Sequence, residues 1–212
     1  MQLNGQDSGD FSSGLKKIQQ ETNHIRTVIT EKQIAGNIYL NKQFIQGTII
    51  KNDGTEIKDV SLRYNIYEHT MQFKRDGTVL DIAEPTTIKR IIYDNKIFVY
   101  TKYNDAKKIK VACFQLLNEG SFQLLKMYNV ALKETTVKPD ISDSCRVEPS
   151  RPGYYLRYDD SIANLINSKN KLIKILQPIP QKIIDYIQEN VKNVNDEKEL
   201  LELLEYINKE MN

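Results

Sequence analysis

The chain has 212 residues, with 30 basic and 28 acidic side chains and a formal charge of +2. So even a balance gives no reason to expect a nucleic-acid partner, which needs a concentrated positive patch. No run reaches the roughly 18–20 apolar residues of a bilayer span, and the length suits one domain, or one domain with a small appendage.

Met1 to Phe11 is polar, lacks the apolar central region of a signal peptide, and is expected to be disordered. Two explanations stay open. The protein is cytoplasmic, or the chain is a mature exported form whose leader has been removed. The polar, Gly-rich stretch Gln2 to Asp10 would suit a freshly cleaved N-terminus. From Ser12 or Ser13 to about Lys32, residues Leu15, Ile18, Ile25, Val28 and Ile29 lie near helical spacing; an extended lead-in near Thr27 to Thr30 is the alternative. The stretch 1–36 is therefore read as a polar tail with a helix, and Ile38-Tyr39-Leu40 as the way into a sheet.

Phe44 to Leu132 alternates between apolar and polar residues in short segments separated by turn signals. The segments are Phe44–Ile50, Val60–Tyr67, Met71–Arg75, Thr78–Ile82, Ile88–Tyr93, Lys96–Tyr103, Ile109–Leu117 and Phe122–Leu132. Asp53-Gly54, Asp76-Gly77, Asp94-Asn95 and Asn104-Asp105 supply the turns, and Pro85 interrupts because it has no N–H for a ladder. Short links imply that neighbours in sequence are neighbours in space. The expected fold is α+β and mainly β: an antiparallel β-meander of about seven to nine strands, forming a curved open sheet or partial barrel.

Val60, Leu62, Tyr64 and Ile66 should face a core, with Ser61, Arg63, Asn65 and Tyr67 on the other side. Tyrosine is abundant, at 12 residues. Most strand tyrosines pack across strands with the hydroxyl at the rim. The functional alternative is that Arg63, Asn65, Tyr67, Gln72 and Tyr100 present a binding surface. Lys107, Lys108 and Lys110 around one turn, and Lys169, Lys171 and Lys174 near a helix start, look like solvated rims.

Residues 133–153 lack periodicity, contain Pro139, Pro149 and Pro152, and read as a long loop; Tyr154 to Tyr158 reads as a late strand. Cys113 on a strand and Cys145 in that loop could form a disulfide in an oxidising compartment, or be two unrelated thiols. The sheet domain is thus placed at 37–158. The segment 159–212 is read as helices packed on it: a short helix through Lys171–Leu176, then two amphipathic helices forming a hairpin. Pro180 suits the first turn of the second, and Asn195 the cap of the last, whose stripe is Leu200, Leu203, Leu204 and Ile207.

Chemistry is sparsely signalled. His24 and His69 have no second ligand at metal spacing, so no metal is expected. No nucleophile elbow, phosphate loop or dinucleotide fingerprint is present, so no cofactor is expected either. Asn52 to Glu56 lacks the alternating acids of a calcium loop. Asp140, Asp143, Asp159 and Asp160 are the carboxylates that could converge on a hydrolase site near the loop.

Tyr39 to Phe44, Leu62-Arg63-Tyr64-Asn65-Ile66-Tyr67, Met71-Gln72-Phe73 and the Glu197 to Leu201 helix together resemble a family of uncharacterised exported proteins from Gram-negative envelopes of the Bacteroidetes type. The resemblance spans residues 37–210, and the spacing Leu-Arg-Tyr-Asn-x-Tyr-x3-Met-Gln-Phe is its most specific part. It implies a periplasmic or envelope location and brings no catalytic residues. The expected role is a non-enzymatic protein that binds an envelope protein or a lipid-like, apolar ligand on the sheet; a carboxylate hydrolase and a structural subunit of an envelope assembly are the alternatives.

Overall fold

The computed structural model describes residues 34–82, 84–106, 108–134 and 145–211. The fold is α+β and mainly β, with antiparallel strands followed by three C-terminal helices. The expected helix between Ser12 and Lys32 lies outside the described residues. The chain divides into two compact units. One takes residues up to Asn95 together with Val130–Pro149, the other Lys96–Asn129 and Ser150 onward.

In the first unit the strands are β1 (Ile34–Gly36), β2 (Ile45–Lys51), β3 (Glu56–Asn65), β4 (Thr70–Arg75), β5 (Thr78–Asp81) and β6 (Ile88–Tyr93). Their turns follow local chemistry. Asp76 and Gly77 have φ of 48° and 80°, and Asp94 and Asn95 have 53° and 56°, the positive pair that a two-residue type I′ turn requires. Asp53 Oδ1 accepts from the Thr55 amide at 2.9 Å, so this side chain closes a hairpin turn. That hydrogen bond holds the Asp53 carboxyl below the usual carboxylate range.

The meander is broken once. The strand order here is β6-β2-β3-β4-β5, so β6 pairs with β2 and not with its sequence neighbour β5. The 3-10 turn Pro85–Thr87 lies between β5 and β6, and Asn52 binds it through Nδ2 to the Thr86 carbonyl at 2.7 Å. Ile38 to Leu40 continues the line of β2: Leu40 N donates to Tyr64 O at 3.1 Å and Ile66 N to Ile38 O at 2.7 Å. One face of this sheet carries Ile49, Leu62, Tyr64, Met71, Phe73 and Ile91, all fully buried.

The second unit begins with the long hairpin β7 (Lys96–Asp105) and β8 (Lys108–Leu116), and adds β9 (Phe122–Glu134) and β10 (Cys145–Tyr158), whose far ends lie in the first unit. β11 (Asn164–Leu165) pairs with the end of β10. The residue before it, Ala163, reaches β7, donating to Lys102 O at 2.8 Å and accepting from Asn104 N at 3.1 Å. This short strap lies between the end of β10 and β7, while the strand order itself stays open, the curved open sheet of the two expected forms and not a closed barrel. On one face of these strands Tyr103, Phe114 and Tyr155 meet edge-on, at centroid distances of 5.1 to 5.7 Å.

Strand extends into both ends of the stretch expected as loop over 133–153. β9 runs on to Glu134 and β10 begins at Cys145, and Lys133 and Glu148 form an ion pair at 2.6 Å. Pro149 and Pro152 therefore sit inside a strand. They fall between the β1 partners Cys145–Val147 and the β11 partners Tyr155–Leu156, where one edge of β10 has no strand partner among the described residues. Sheets tolerate proline where such an edge is open.

Three helices complete the second unit: α1 (Lys169–Leu176), α2 (Gln181–Asn190) and α3 (Glu197–Met211). Ser168 caps α1, its Oγ accepting from Lys171 N at 3.1 Å. The cap of α3 is Asp196 and not Asn195: Asp196 Oδ1 accepts from Lys198 N at 2.9 Å and Glu199 N at 3.2 Å. A carboxylate is the stronger acceptor there and also faces the positive end of the helix dipole. Leu172, Leu176, Ile183, Ile187, Leu200, Leu203, Leu204 and Ile207 form one core with Phe122, Leu124, Tyr154 and Leu156. The helices are thus docked on the strands of their own unit, as the sequence pattern implies.

Candidate functional site

The outward face of the first unit carries a connected polar row. Residues paired in an antiparallel ladder share a face, so the register Arg63↔Gln72↔Asp81 places these three side by side across β3, β4 and β5. Arg63 Nη2 donates to Gln72 Oε1 at 3.1 Å. Gln72 Nε2 donates to Asp81 Oδ1 at 3.3 Å, and Thr70 Oγ1 donates to the same oxygen at 3.3 Å. The row thus starts on a cation and ends on a carboxylate. A step away on the same face, Gln46 Nε2 donates to Ser61 Oγ at 3.2 Å.

Two rings hold the cationic end. The Arg63 guanidinium carbon lies 3.6 Å from the Tyr39 ring centroid and 4.5 Å from that of Phe44. A planar guanidinium stacks on aromatic faces while keeping its in-plane donors, which an ammonium cannot do. Arg63 and Gln72 are half-buried, whereas Asp81 is exposed. β5 is the last strand of the order, and among the described residues β4 is its one partner. Val79, next to Asp81 on the outward face of β5, is 41% exposed.

The five site residues read from the sequence separate on inspection. Arg63 and Gln72 are together. Asn65 is buried, and its Oδ1 accepts from the Tyr67 and Glu68 amides at 3.0 and 3.1 Å, so it shapes the β3–β4 turn. Tyr67 is half-buried in that turn. Tyr100 belongs to the second unit, opposite Cys113 in the β7–β8 ladder, and is not part of the row. Sequence reasoning missed Asp81, Thr70, Tyr39 and Phe44. The Asp76-Gly77 turn fixes the register that puts Asp81 opposite Gln72, so only Asp81 had a usable local signal.

A second polar cluster lies within the second unit. Lys126 Nζ pairs with Glu197 Oε2 at 2.7 Å, and Tyr154 Oη donates to the same oxygen at 3.0 Å. Burial, then the Glu197 carboxylate, pushes the Tyr154 hydroxyl well above its ordinary value. The cluster ties the start of α3 to β9 and β10. Its members are separated by 71 and 43 residues, which no periodicity reveals. Cys113 is fully buried, and burial pushes its thiol up strongly, which keeps it protonated. The Cys145 side chain lies outside the described residues, and with it the pairing of these two cysteines.

Among the described residues no group of three or more His, Cys, Asp or Glu side chains could hold a metal ion. Asp140 and Asp143 lie outside the described residues; Asp159 and Asp160 are exposed in a turn. No helix of the described residues is long and apolar enough to cross a membrane. No family model, curated protein or solved structure matches the chain.

Proposed function

We propose that this chain is a non-enzymatic, exported envelope protein that binds a partner protein on the outward face of β3, β4 and β5, the partner adding an extended segment along β5. The observation that carries the reading is the Arg63–Gln72–Asp81 row, which stops at an exposed carboxylate on a strand whose second edge has no strand partner among the described residues. An incoming strand satisfies the unpaired backbone of such an edge. A basic or amide side chain on it would extend the row by one step at Asp81, and Val79 offers an apolar contact beside it. The polarity of this face favours a protein over an apolar ligand. The envelope location rests on the resemblance carried by Leu62 to Phe73.

Site-specific photo-crosslinking in the native host tests this. A crosslinker at Val79 should yield one discrete protein adduct, lost in Arg63→Ala/Asp81→Ala and absent with the crosslinker at Lys198 on α3. The same products from both positions, or an adduct that survives the double substitution, would overturn the reading.

A further inference from the structure

The β7–β8 ladder is unbroken from Ile97↔Leu116 to Asp105↔Lys108; in its last rungs Tyr103 still packs in the core, while Lys102, Asn104 and residues 108–111 are exposed. Burial in β8 begins at Ala112; before it, Ile109 and Val111 are 58% and 45% exposed. By register they share a face with Asn104 and Lys102, while Lys108 and Lys110 share the opposite face with Asp105. Ala163 lies along the other edge of β7 at Lys102 and Asn104, and the end of the hairpin has aliphatic side chains on one face and lysines on both.

The charges do not cancel. Lys110 is matched by Asp105 at 2.5 Å. Lys102 and Lys108 are exposed, and among the described residues neither has an ion-pair partner. A second copy meeting this face to face would bring the same lysines together, which argues against self-association. Exposed aliphatics flanked by uncompensated lysines fit an anionic lipid surface, with side chains entering the boundary of headgroups and acyl chains and cations staying among the phosphates.

We propose that the exposed end of the β7–β8 hairpin is a peripheral membrane contact, Ile109 and Val111 entering an anionic leaflet and Lys102 and Lys108 reading its charge. The site is independent of the β3–β5 face.

Co-sedimentation of the full chain with vesicles tests it. The protein should pellet with vesicles of equal parts phosphatidylcholine and phosphatidylglycerol, and not with phosphatidylcholine alone. Ile109→Ser/Val111→Ser should weaken binding by about tenfold or more, from the apolar carbons withdrawn from the leaflet. Lys102→Gln/Lys108→Gln should weaken it by about fivefold per lysine, with the wild-type affinity falling as salt is raised. All four positions are exposed, so circular dichroism should be unchanged. Failure to bind anionic vesicles, equal binding to neutral ones, or unchanged binding by the Ile109/Val111 variant would overturn the proposal. So would a wild-type dimer in analytical ultracentrifugation that this variant dissociates with vesicle binding unaffected.

Discussion

Arg63 shows how one side chain can carry both packing and a polar link. Its guanidinium is stacked by Tyr39 and Phe44 and still donates to Gln72. Arg63→Lys keeps the charge but loses the planar stack, and should lower stability by about 1 kcal/mol in urea unfolding. Gly47 is constrained differently. A Cβ there would lie 2.4 Å from the Ile92 carbonyl oxygen and 2.7 Å from Leu62 Cδ1, beside a register shift in β2. Gly47→Ala should therefore cost about 1–3 kcal/mol, read from the same denaturant midpoints. Period-two reading placed Arg63 correctly on the outward face and failed at Asn65, two residues on. The strand ends there, and the amide side chain serves the turn, where its acceptor is more valuable than on a wet face.

At the scale of elements, α3 is fixed to the strands by a side chain acting as backbone. Asn208 Oδ1 accepts from Phe122 N at 2.9 Å, and its Nδ2 donates to Phe122 O at 3.0 Å. Gly120, at φ +127°, leaves room for it: a Cβ would sit 2.8 Å from the Asn208 amide. Asn208→Ala leaves the Phe122 amide without its partner, while Phe122 O keeps Asn118 Nδ2 at 2.9 Å, and should cost about 1–3 kcal/mol in thermal or urea unfolding. Tyr155 gives the strand core a pH dependence. Burial pushes its hydroxyl up to about 12 from an ordinary 10.0. On raising the pH the unfolded chain loses this proton first. Stability is thus full below about pH 10 and falls as pH climbs toward 12, a loss that Tyr155→Phe should reduce when urea midpoints are measured against pH. Most strands and all three helices were legible, because period-two alternation, Asp-Gly turns and the Leu200 to Ile207 stripe are local signals. The step from β5 back to β2 was not: pairing β6 with β2 joins residues some 40 positions apart through backbone bonds, on which side-chain pattern is silent. The end of β10, Tyr154 to Tyr158, was legible as strand, but its first part, residues 145–153, was mistaken for loop because its prolines mask a strand with no strand partner on one edge among the described residues.

For the whole molecule, what matters is that each unit presents its own unsatisfied surface. The first ends at β5, a short edge beside a completed polar row; the second ends in a hairpin whose aliphatics and lysines lie outside its core. The sequence signalled the outward placement of Arg63 and Gln72, and the Asp76-Gly77 turn is the one local clue that Asp81 closes their row; that Tyr100 belongs elsewhere depends on long-range pairing. An edge strand with few buried contacts should open easily until a partner covers it. The direct test is hydrogen–deuterium exchange of Thr78–Asp81 in the purified chain, alone and with the protein captured through Val79. The account predicts rapid exchange alone and marked protection in the complex, confined to β5 and its neighbours on the sheet face. Equal exchange in the two states, or protection appearing only elsewhere, would contradict it.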